Sequence, residues 1–369
     1  MERVAVNLAD AFAAAGHDSH LLTFRRGRRT LRPEHASVKV HCFQLNWANR
    51  LTLVGFVIEL FTRWFINPLV KRSLFLGTGL TGGWLFRAWL WRFERRHGRV
   101  DRIIFRGVGT FELVWTFRAD RARHVLENIF QAPSDHWRER LFARCLYHDR
   151  HLVAVSEGVR ESIDAACRQW RVVPASIEVI VNPCPVESIR RQMREAEPDL
   201  PQGPYLVCVA RLVPAKDQAL LLRAYARSGV NLPLVLVGDG QERGRLASLA
   251  SELGIAASVI FAGQRANPYP WMHQARLFVL SSRFEGMGIV LFEALACGTP
   301  VLSVDCPGGI REILKGELEA SIVAHDEASL AEGIRQAVEG PKPVIKEEWL
   351  ADFLPQRVAQ RFLAPSGSA

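Results

Sequence analysis

The sequence predicts an α/β fold with two domains, each a parallel sheet with helices between its strands. Short apolar runs bounded by polar or glycine residues recur along the chain, at 102–105, 152–155, 177–181, 205–210, 234–237, 259–262, 277–280 and 301–304. Segments with apolar residues at helical spacing separate most of these runs, a pattern typical of repeated β-α-β units. The length of 369 residues allows two domains of ordinary size.

The domain boundary is predicted from composition. Residues 186–203 are charged and close with Pro-Gln-Gly-Pro, so we place the hinge there. The N-terminal domain is then 1–185 and the C-terminal domain 186–346. The last residues of the C-terminal domain, 341–346, are a connector rich in proline and lysine. One last amphipathic helix is expected over 349–363.

In the second half, residues suited to ligand binding stand directly after predicted strands. Parallel strands place ligands at their carboxyl ends, so we expect these residues to lie close together. A lysine is also predicted to open the helix that follows the first of these strands. The residues concerned are Arg211, Lys216, Gly238, Asp239, Gly263 and Gln264. Asp239 is equally compatible with a simple turn.

Residues 281–314 carry the most informative pattern. Glu285 lies in a glycine-containing loop and Glu293 lies eight positions later, inside the predicted helix. A carboxylate that accepts two hydrogen bonds suits a ribose diol. The glycines let a ligand approach the backbone, and the amides that open the helix suit a phosphate; this loop comprises Gly286, Met287, Gly288, Ile289 and Val290. The segment therefore predicts a nucleotide site with a sugar end, although such a glutamate pair also occurs on solvated surfaces.

The positive charge is concentrated in the first half. Residues 1–150 hold 25 Lys and Arg against 13 Asp and Glu, whereas the whole chain has a net charge of +9. Tryptophans lie among arginines at 84–99, a composition typical of helices at a membrane surface, though a buried helix pair is the structural alternative. The apolar run 51–70 is interrupted by Glu59, Arg63 and Pro68, so no membrane-spanning helix is expected there. An anionic membrane is the expected partner, and nucleic acid is not.

The amino-terminal residues predict a helix over 1–15, a stop at Gly16 and a strand over 19–24. In a parallel α/β domain a helix normally follows an earlier strand. We therefore expect the first domain to lack its first strand and the glycine loop after it. No signal peptide is visible, and the seven cysteines show no metal-binding spacing, which favours reduced thiols and a cytoplasmic protein.

The segment EGMGIVLFEALACGTPV resembles the Glu-x7-Glu segment of retaining glycosyltransferases of family 4. That family has the GT-B fold, in which two Rossmann-like domains face a cleft. The resemblance is strong over about 180–340 and weak before it. The segments NPYPWM and DCPGGIREIL resemble a bacterial branch that acts in cell-surface polysaccharide, lipopolysaccharide or glycolipid assembly. The resemblance to the GT-B family also implies that residues 347–369 pack back on the first domain. Residues 1–4 resemble the end of a glycine motif of that family.

The resemblance implies an enzyme that moves a sugar from a nucleotide-sugar, expected to be a UDP-sugar, to a lipid-linked, lipopolysaccharide or polysaccharide acceptor with retention. Arg211 and Lys216 would hold the diphosphate, Glu285 would lie near the donor sugar, and Gln264 near the base. Glu293 would hold the ribose. Gly238, Asp239 and Gly263 would belong to the same donor site.

On the acceptor side, family members carry a His-Asn pair at a strand end, where this chain has Glu127 and Asn128. No Asp-x-Asp occurs in the chain, which argues against a metal-dependent transferase of the GT-A type, and no metal or cofactor is expected because the nucleotide-sugar is a substrate. The enzyme is expected to be peripheral, on the inner face of the cytoplasmic membrane. The alternatives are an inactive or truncated sugar-nucleotide-binding protein, a nucleic-acid binder, and a sugar-nucleotide epimerase or phosphorylase of the same fold.

Overall fold

The chain divides into two units in the computed structural model, which describes residues 2–24, 32–69, 73–130 and 136–364. One unit comprises residues 1–183 together with 355–369, and the other comprises residues 184–354. The arginine-rich loop noted in the sequence at 25–31 lies outside the described residues.

The first unit contains six strands and eight helices among its described residues before residue 184. The strands are β1 (His20–Thr23), β2 (Lys39–Cys42), β3 (Ile103–Arg106), β4 (Ala122–Leu126), β5 (His151–Ala154) and β6 (Ser176–Val179). The helices are α1 (Glu2–Ala14), α2 (Leu45–Leu51), α3 (Leu53–Phe61), α4 (Asn67–Leu69), α5 (Leu74–His97), α6 (Val108–Leu113), α7 (Trp137–Tyr147) and α8 (Glu157–Trp170). A π-helical turn, Thr62–Ile66, joins α3 to α4.

The strands of the first unit form two separate parallel sheets. β1 pairs with β2, and β3, β4, β5 and β6 pair in that order. The helix of residues 2–14 precedes β1 as the sequence predicts. Among the described residues, β1 and β3 therefore belong to different sheets.

A helical layer made of α2, α3 and α5 covers part of the first unit. α5 has 24 residues and is about 36 Å long. Its glycines permit close packing: a Cβ on Gly82 would lie 2.1 Å from the carbonyl oxygen of Leu113, at the end of α6. Among the described residues, no helix combines the length and the apolar character that a membrane span needs.

The second unit has one parallel sheet of six strands. The strands are β7 (Leu206–Val209), β8 (Leu234–Val237), β9 (Val259–Gly263), β10 (Leu277–Leu280), β11 (Val301–Val304) and β12 (Ile322–Val323), in the order β12-β11-β10-β7-β8-β9. The helices are α9 (Val186–Gln192), α10 (Gln218–Ser228), α11 (Arg243–Glu252), α12 (Tyr269–His273), α13 (Ile289–Ala296), α14 (Ile310–Ile313) and α15 (Glu327–Glu339). β8, β10 and β11 are buried along their whole length, and β7 is buried except at its last residue, as expected for a sheet covered on both faces.

Two local predictions of the sequence analysis are wrong. Lys216 does not open a helix: it ends a 3-10 turn, Pro214–Lys216, and α10 begins two residues later because Asp217 adopts φ +43°. The expected helix over 349–363 is two elements, a 3-10 segment (Glu347–Phe353) and α16 (Pro355–Leu363). Pro355 explains the break, since proline drives the preceding residue to extended geometry, here ψ 135° at Leu354.

Candidate active site

The central pair of strands in the second unit marks where a ligand would bind. From β7 the chain proceeds outward through β8 and β9, and it then returns to the other side of β7 with β10, β11 and β12. The direction of winding therefore reverses between β7 and β10. In open parallel sheets the crevice at the carboxyl ends of such strands is the usual ligand site.

The loops that leave β7 and β10 are tied together by an ion pair. The Lys216 ammonium donates to Glu285 Oε1 at 2.5 Å, and the Ser282 hydroxyl donates to the same oxygen at 2.6 Å. Glu285 is buried and the Lys216 side chain is 21% exposed. The Ser281 hydroxyl donates to the carbonyl of Lys216 at 3.0 Å, which fixes the backbone of the lysine loop. The structure thus brings together two of the predicted catalytic residues.

A second ion pair crosses between the same two loops. Arg283 Nε donates to Asp217 Oδ2 at 2.9 Å, and His325 Nε2 lies 3.8 Å from that oxygen. In this pair the loop after β10 carries the positive charge and the loop after β7 the negative charge. In the pair of Lys216 and Glu285 the charges are arranged the other way. This contact was not predicted from the sequence. The opposite charges of residues 216 and 217, and those of residues 283 and 285, are the pattern that could have indicated it.

The backbone around Glu285 is held by a glycine on the next loop. Gly308 has φ +126°, and a Cβ built on it would lie 1.7 Å from the carbonyl oxygen of Glu285. The Glu285 amide also donates to the carbonyl of Pro307 at 3.0 Å. Only glycine fits at 308 without moving the backbone of Glu285, so residues of three loops determine the position of Glu285.

The glycine loop leads directly into α13. Gly288 is the N-cap of this helix with φ +78°, and Ile289 and Val290 are its first residues. Met287 is buried, and Gly286 is half-buried. The predicted phosphate-binding amides therefore lie at a helix N-terminus, next to Glu285, where the helix dipole favours an anion.

Glu293 lies one turn into α13. It accepts a hydrogen bond from the Tyr269 hydroxyl at 3.1 Å, and Tyr269 lies in α12. The Tyr269 amide in turn donates to Asn267 Oδ1 at 3.1 Å. Tyr269 was not identified from the sequence as a site residue; it orients the carboxylate that was predicted to hold the ribose.

The strand ends of β7, β8 and β9 are joined by backbone hydrogen bonds. The Gly238 amide donates to the carbonyl of Gly263 at 2.8 Å, and a Cβ on Gly238 would lie 2.0 Å from the carbonyl oxygen of Ala210. Asp239 Oδ1 accepts from the Gly240 amide at 2.8 Å, which is the turn role that the sequence left open. The structure therefore places Gly238, Asp239 and Gly263 at one edge, with exposed Arg211 and Gln264 in the adjoining loops.

Glu127 and Asn128 lie in the other unit, after β4. Glu127 Oε1 accepts from Arg106 at 2.5 Å, and Arg106 also donates to Asn182 Oδ1 at 2.7 Å. Burial lowers the pKa of the Arg106 guanidinium, and the charge of Glu127 opposes that shift. Asn128 is exposed. This buried network joins the ends of β3 and β4 to residue 182 after β6, and Arg106 was not found from the sequence.

Comparison with known proteins finds a family whose description matches most of the second unit. The family described as "Glycosyl transferases group 1" matches residues 189–348.

Curated proteins similar to this chain include two named glycosyltransferases. One is the N-acetylgalactosamine-N,N'-diacetylbacillosaminyl-diphospho-undecaprenol 4-alpha-N-acetylgalactosaminyltransferase of Campylobacter jejuni, 31% identical over 183 residues, which are 49% of this chain and 49% of that protein. Another is the lipopolysaccharide 1,6-galactosyltransferase of Salmonella typhimurium, 29% identical over 199 residues, 53% of this chain and 54% of that protein. The matched stretch thus spans about half the length of these curated relatives.

A solved structure shares the fold over nearly the whole chain. The glycosyltransferase from Rickettsia africae has a TM-score of 0.71 at 14% identity, covering 98% of this chain and 93% of that one. At this identity the likeness concerns the fold, and it confirms the predicted GT-B class. The residues that match the family, 189–348, contain Arg211, Lys216, Glu285 and Glu293, whereas Glu127 and Asn128 lie outside the match.

Proposed function

We propose that this protein transfers a sugar from a nucleotide-sugar to a lipid-linked or lipopolysaccharide acceptor, with retention of anomeric configuration and without a metal ion. The observation that carries the proposal is the Lys216–Glu285 pair beside the start of α13, at the point where the sheet reverses its winding. A cation, a helix N-terminus and a carboxylate are the groups that a sugar diphosphate requires.

In the proposed reaction each group of the site has a defined role. The bond from the sugar C1 to the diphosphate oxygen breaks, a bond from C1 to the acceptor oxygen forms on the same face, and a phosphate oxygen takes the proton of the acceptor hydroxyl. Negative charge then grows on the leaving diphosphate, and Lys216 and Arg211 stabilise it. An ammonium has three donors, of which Glu285 takes one. Glu285 positions Lys216 and contacts the donor sugar.

Glu293 binds the ribose in this proposal. Its carboxylate accepts a hydrogen bond from Tyr269, and a carboxylate is an acceptor that suits the two hydroxyls of a diol. The exposed residue Gln264 lies near the base, at the end of β9. The base is proposed to be uracil, and the acceptor class follows the named relatives, which act on a diphospho-undecaprenol-linked glycan and on lipopolysaccharide.

The experiment is a panel of UDP-, GDP- and ADP-sugars, assayed for binding by calorimetry and for turnover by release of the nucleotide. Wild type is compared with Glu293→Ala and with Glu252→Ala, an exposed control at the end of α11. We expect Glu293→Ala to weaken nucleotide binding about tenfold or more, because hydrogen bonds to a charged group contribute about 1.5–3 kcal/mol. Binding without turnover would identify a sugar-nucleotide-binding protein instead. A wild type that shows no binding and no turnover would refute the enzyme.

We also propose contact between the helical layer and an anionic membrane that carries the acceptor. The layer exposes Trp47, Trp84 and Trp91, and the π-helical turn after α3 exposes Trp64; each is more than half accessible to solvent. Residues 45–99 hold nine Lys and Arg but two acids, and both acids are paired within the protein, Glu59 with Arg50 at 2.7 Å and Glu94 with Arg121 at 2.6 Å. Exposed tryptophan with unopposed arginine favours the headgroup region of anionic lipid, on the inner face of the cytoplasmic membrane.

A further inference from the structure

Asp217 follows Lys216 directly and has a backbone geometry that few residues with a side chain adopt. Its φ of +43° and ψ of 45° lie in the left-handed region, which disfavours residues other than glycine, asparagine and aspartate. Asp217 is also buried. Because such geometry persists only where the surroundings impose it, contacts of the lysine loop, residues 210–217 between β7 and α10, must hold the chain at this turn.

Arg283, in the loop after β10, bonds to the lysine loop on both sides of Lys216. Its amide donates to the carbonyl of Ala215 at 3.0 Å, and its Nε donates to Asp217 Oδ2 at 2.9 Å. His325 Nε2 lies 3.8 Å from the same oxygen, which is beyond hydrogen-bonding distance. One arginine therefore fixes both the residue before Lys216 and the residue after it.

The ion pair also neutralises a carboxylate beside Lys216. The side chain of Asp217 is 9% exposed and that of Arg283 is 57% exposed, so their attraction is screened less than that of a pair in open solvent. A carboxylate at this position without its arginine would repel an incoming diphosphate. The pair therefore fixes the lysine loop and removes a charge that would oppose the donor.

We infer that Asp217 and Arg283 are positioning residues for the transfer: their ion pair holds the lysine loop so that the Lys216 ammonium meets the negative charge on the leaving diphosphate. The inference rests on the proposed function, and it assigns no contact with the substrate to either residue. The charge on the diphosphate grows in the transition state, so a displaced ammonium raises the barrier more than it weakens binding of the donor. Loss of the pair should therefore lower kcat and leave KM nearly unchanged.

Three variants break or keep the pair without straining the backbone. Asp217→Asn removes the negative charge and keeps a residue that tolerates left-handed geometry. Arg283→Gln removes the cation, whereas Arg283→Lys keeps a cation that can serve a contact made through a single nitrogen. Arg335→Gln is the matched control, since Arg335 is 51% exposed and pairs with Glu332 within α15 of the same unit.

Turnover is measured with the nucleotide-sugar that the wild type uses fastest among UDP-, GDP- and ADP-sugars. We expect Asp217→Asn and Arg283→Gln each to lower kcat about tenfold or more, because transition-state charge is less well stabilised, and to change KM less than about twofold. Arg283→Lys should keep most of the wild-type kcat, and Arg335→Gln should keep all of it. The double variant of Asp217→Asn and Arg283→Gln should lose no more than the more affected single variant, because both changes remove one interaction.

Acetylation of Lys216 by acetic anhydride, followed by peptide mass spectrometry, reports on the ammonium without any turnover. Lys216 is expected to react about threefold or more faster in Asp217→Asn and Arg283→Gln than in wild type, because a loosened loop exposes it to the reagent. The exposed residue Lys342 is the reference lysine within each sample. Arg283→Lys and Arg335→Gln should leave the rate at Lys216 unchanged.

Equal kcat and equal acetylation of Lys216 in all variants would overturn the inference. A lower thermal midpoint with unchanged kcat and unchanged acetylation would also overturn it, since the pair would then only stabilise the fold. A wild type that turns over no nucleotide-sugar would refute the proposed function. The acetylation rates would then decide by themselves whether the pair of Asp217 and Arg283 holds Lys216 in place.

Discussion

The ion pair of Lys216 and Glu285 is a contact between two loops that are far apart in sequence. Both side chains are less than a quarter exposed, so their attraction is screened less than that of a surface pair. We expect a double-mutant cycle of Lys216→Met and Glu285→Gln to give a coupling energy of about 1–3 kcal/mol. Chemical denaturation of the second unit measures it.

The exposed pair Arg335–Glu332 on α15 is the matched control. A cycle on that pair is expected to give a clearly smaller coupling energy, because exposed ion pairs are screened by solvent. Similar coupling energies for the two pairs would contradict the view that Glu285 holds Lys216 in place.

His124 makes the first unit sensitive to acid. Burial, together with the nearby charge of Arg150, lowers the pKa of His124 to about 3, and Arg150 donates to His124 Nε2 at 2.9 Å. The folded-state pKa lies below the unfolded value of about 6.5, so the contribution to stability is complete above pH 6.5. It is lost as pH falls toward 3, by about 1.4 kcal/mol for each pH unit.

Denaturation of His124→Gln between pH 4 and 7 checks this expectation. The amide oxygen of glutamine can still accept from Arg150. The slope of the unfolding free energy against pH should fall by the amount that corresponds to the uptake of one proton. The second unit, followed by its own probe, should keep the profile of the wild type. An unchanged slope in the first unit would show that His124 does not titrate as stated.

Among the elements of the fold, the helical layer of α2, α3 and α5 is proposed to contact an anionic membrane. Substitution of exposed tryptophans tests this contact. Trp64 is 70% exposed in the π-helical turn, and its truncation costs the fold little. We expect Trp64→Ala with Trp47→Ala to reduce sedimentation with vesicles of anionic phospholipid at least fivefold. Binding should also weaken as salt is raised, because the attraction between arginines and anionic lipid is screened.

The control for the vesicle assay is Trp137→Ala. Trp137 is 60% exposed but lies in α7, outside the helical layer. Equal binding of all variants, or equal binding to zwitterionic vesicles, would contradict a role for the helical layer at an anionic membrane.

The elements that could be predicted from sequence are those set by local pattern. β10, the glycine loop and α13 were predicted because an apolar run, φ-permissive glycines and a helical period occur within 20 consecutive residues. The network of Arg106, Glu127 and Asn182 could not be predicted, since its members are up to 76 residues apart and meet only through strand order. The roles of Glu293 and Arg211 stay predictions, because their ligands would be needed to test them.

At the scale of the whole molecule, the chain leaves the first unit at residue 183 and returns to it at 355. The return is stabilised by α16, whose Phe362 is 2% exposed and packs edge-on against Phe12 of α1 at 6.4 Å. Arg102 donates to the carbonyl of Phe362 at 3.1 Å, at the end of the helix. The first unit is therefore complete only after the second has been synthesised.

We expect Phe362→Ala to destabilise the first unit by about 3–5 kcal/mol, the usual cost of deleting a buried phenyl ring. Hydrogen exchange should become faster in α1 and β3 and stay unchanged in β7 and β10, which belong to the other unit. Gln360→Ala, exposed on the same helix, is the control and should leave both regions unchanged. Faster exchange in both units would mean that they unfold together, and α16 would then stabilise the whole chain rather than the unit to which it returns.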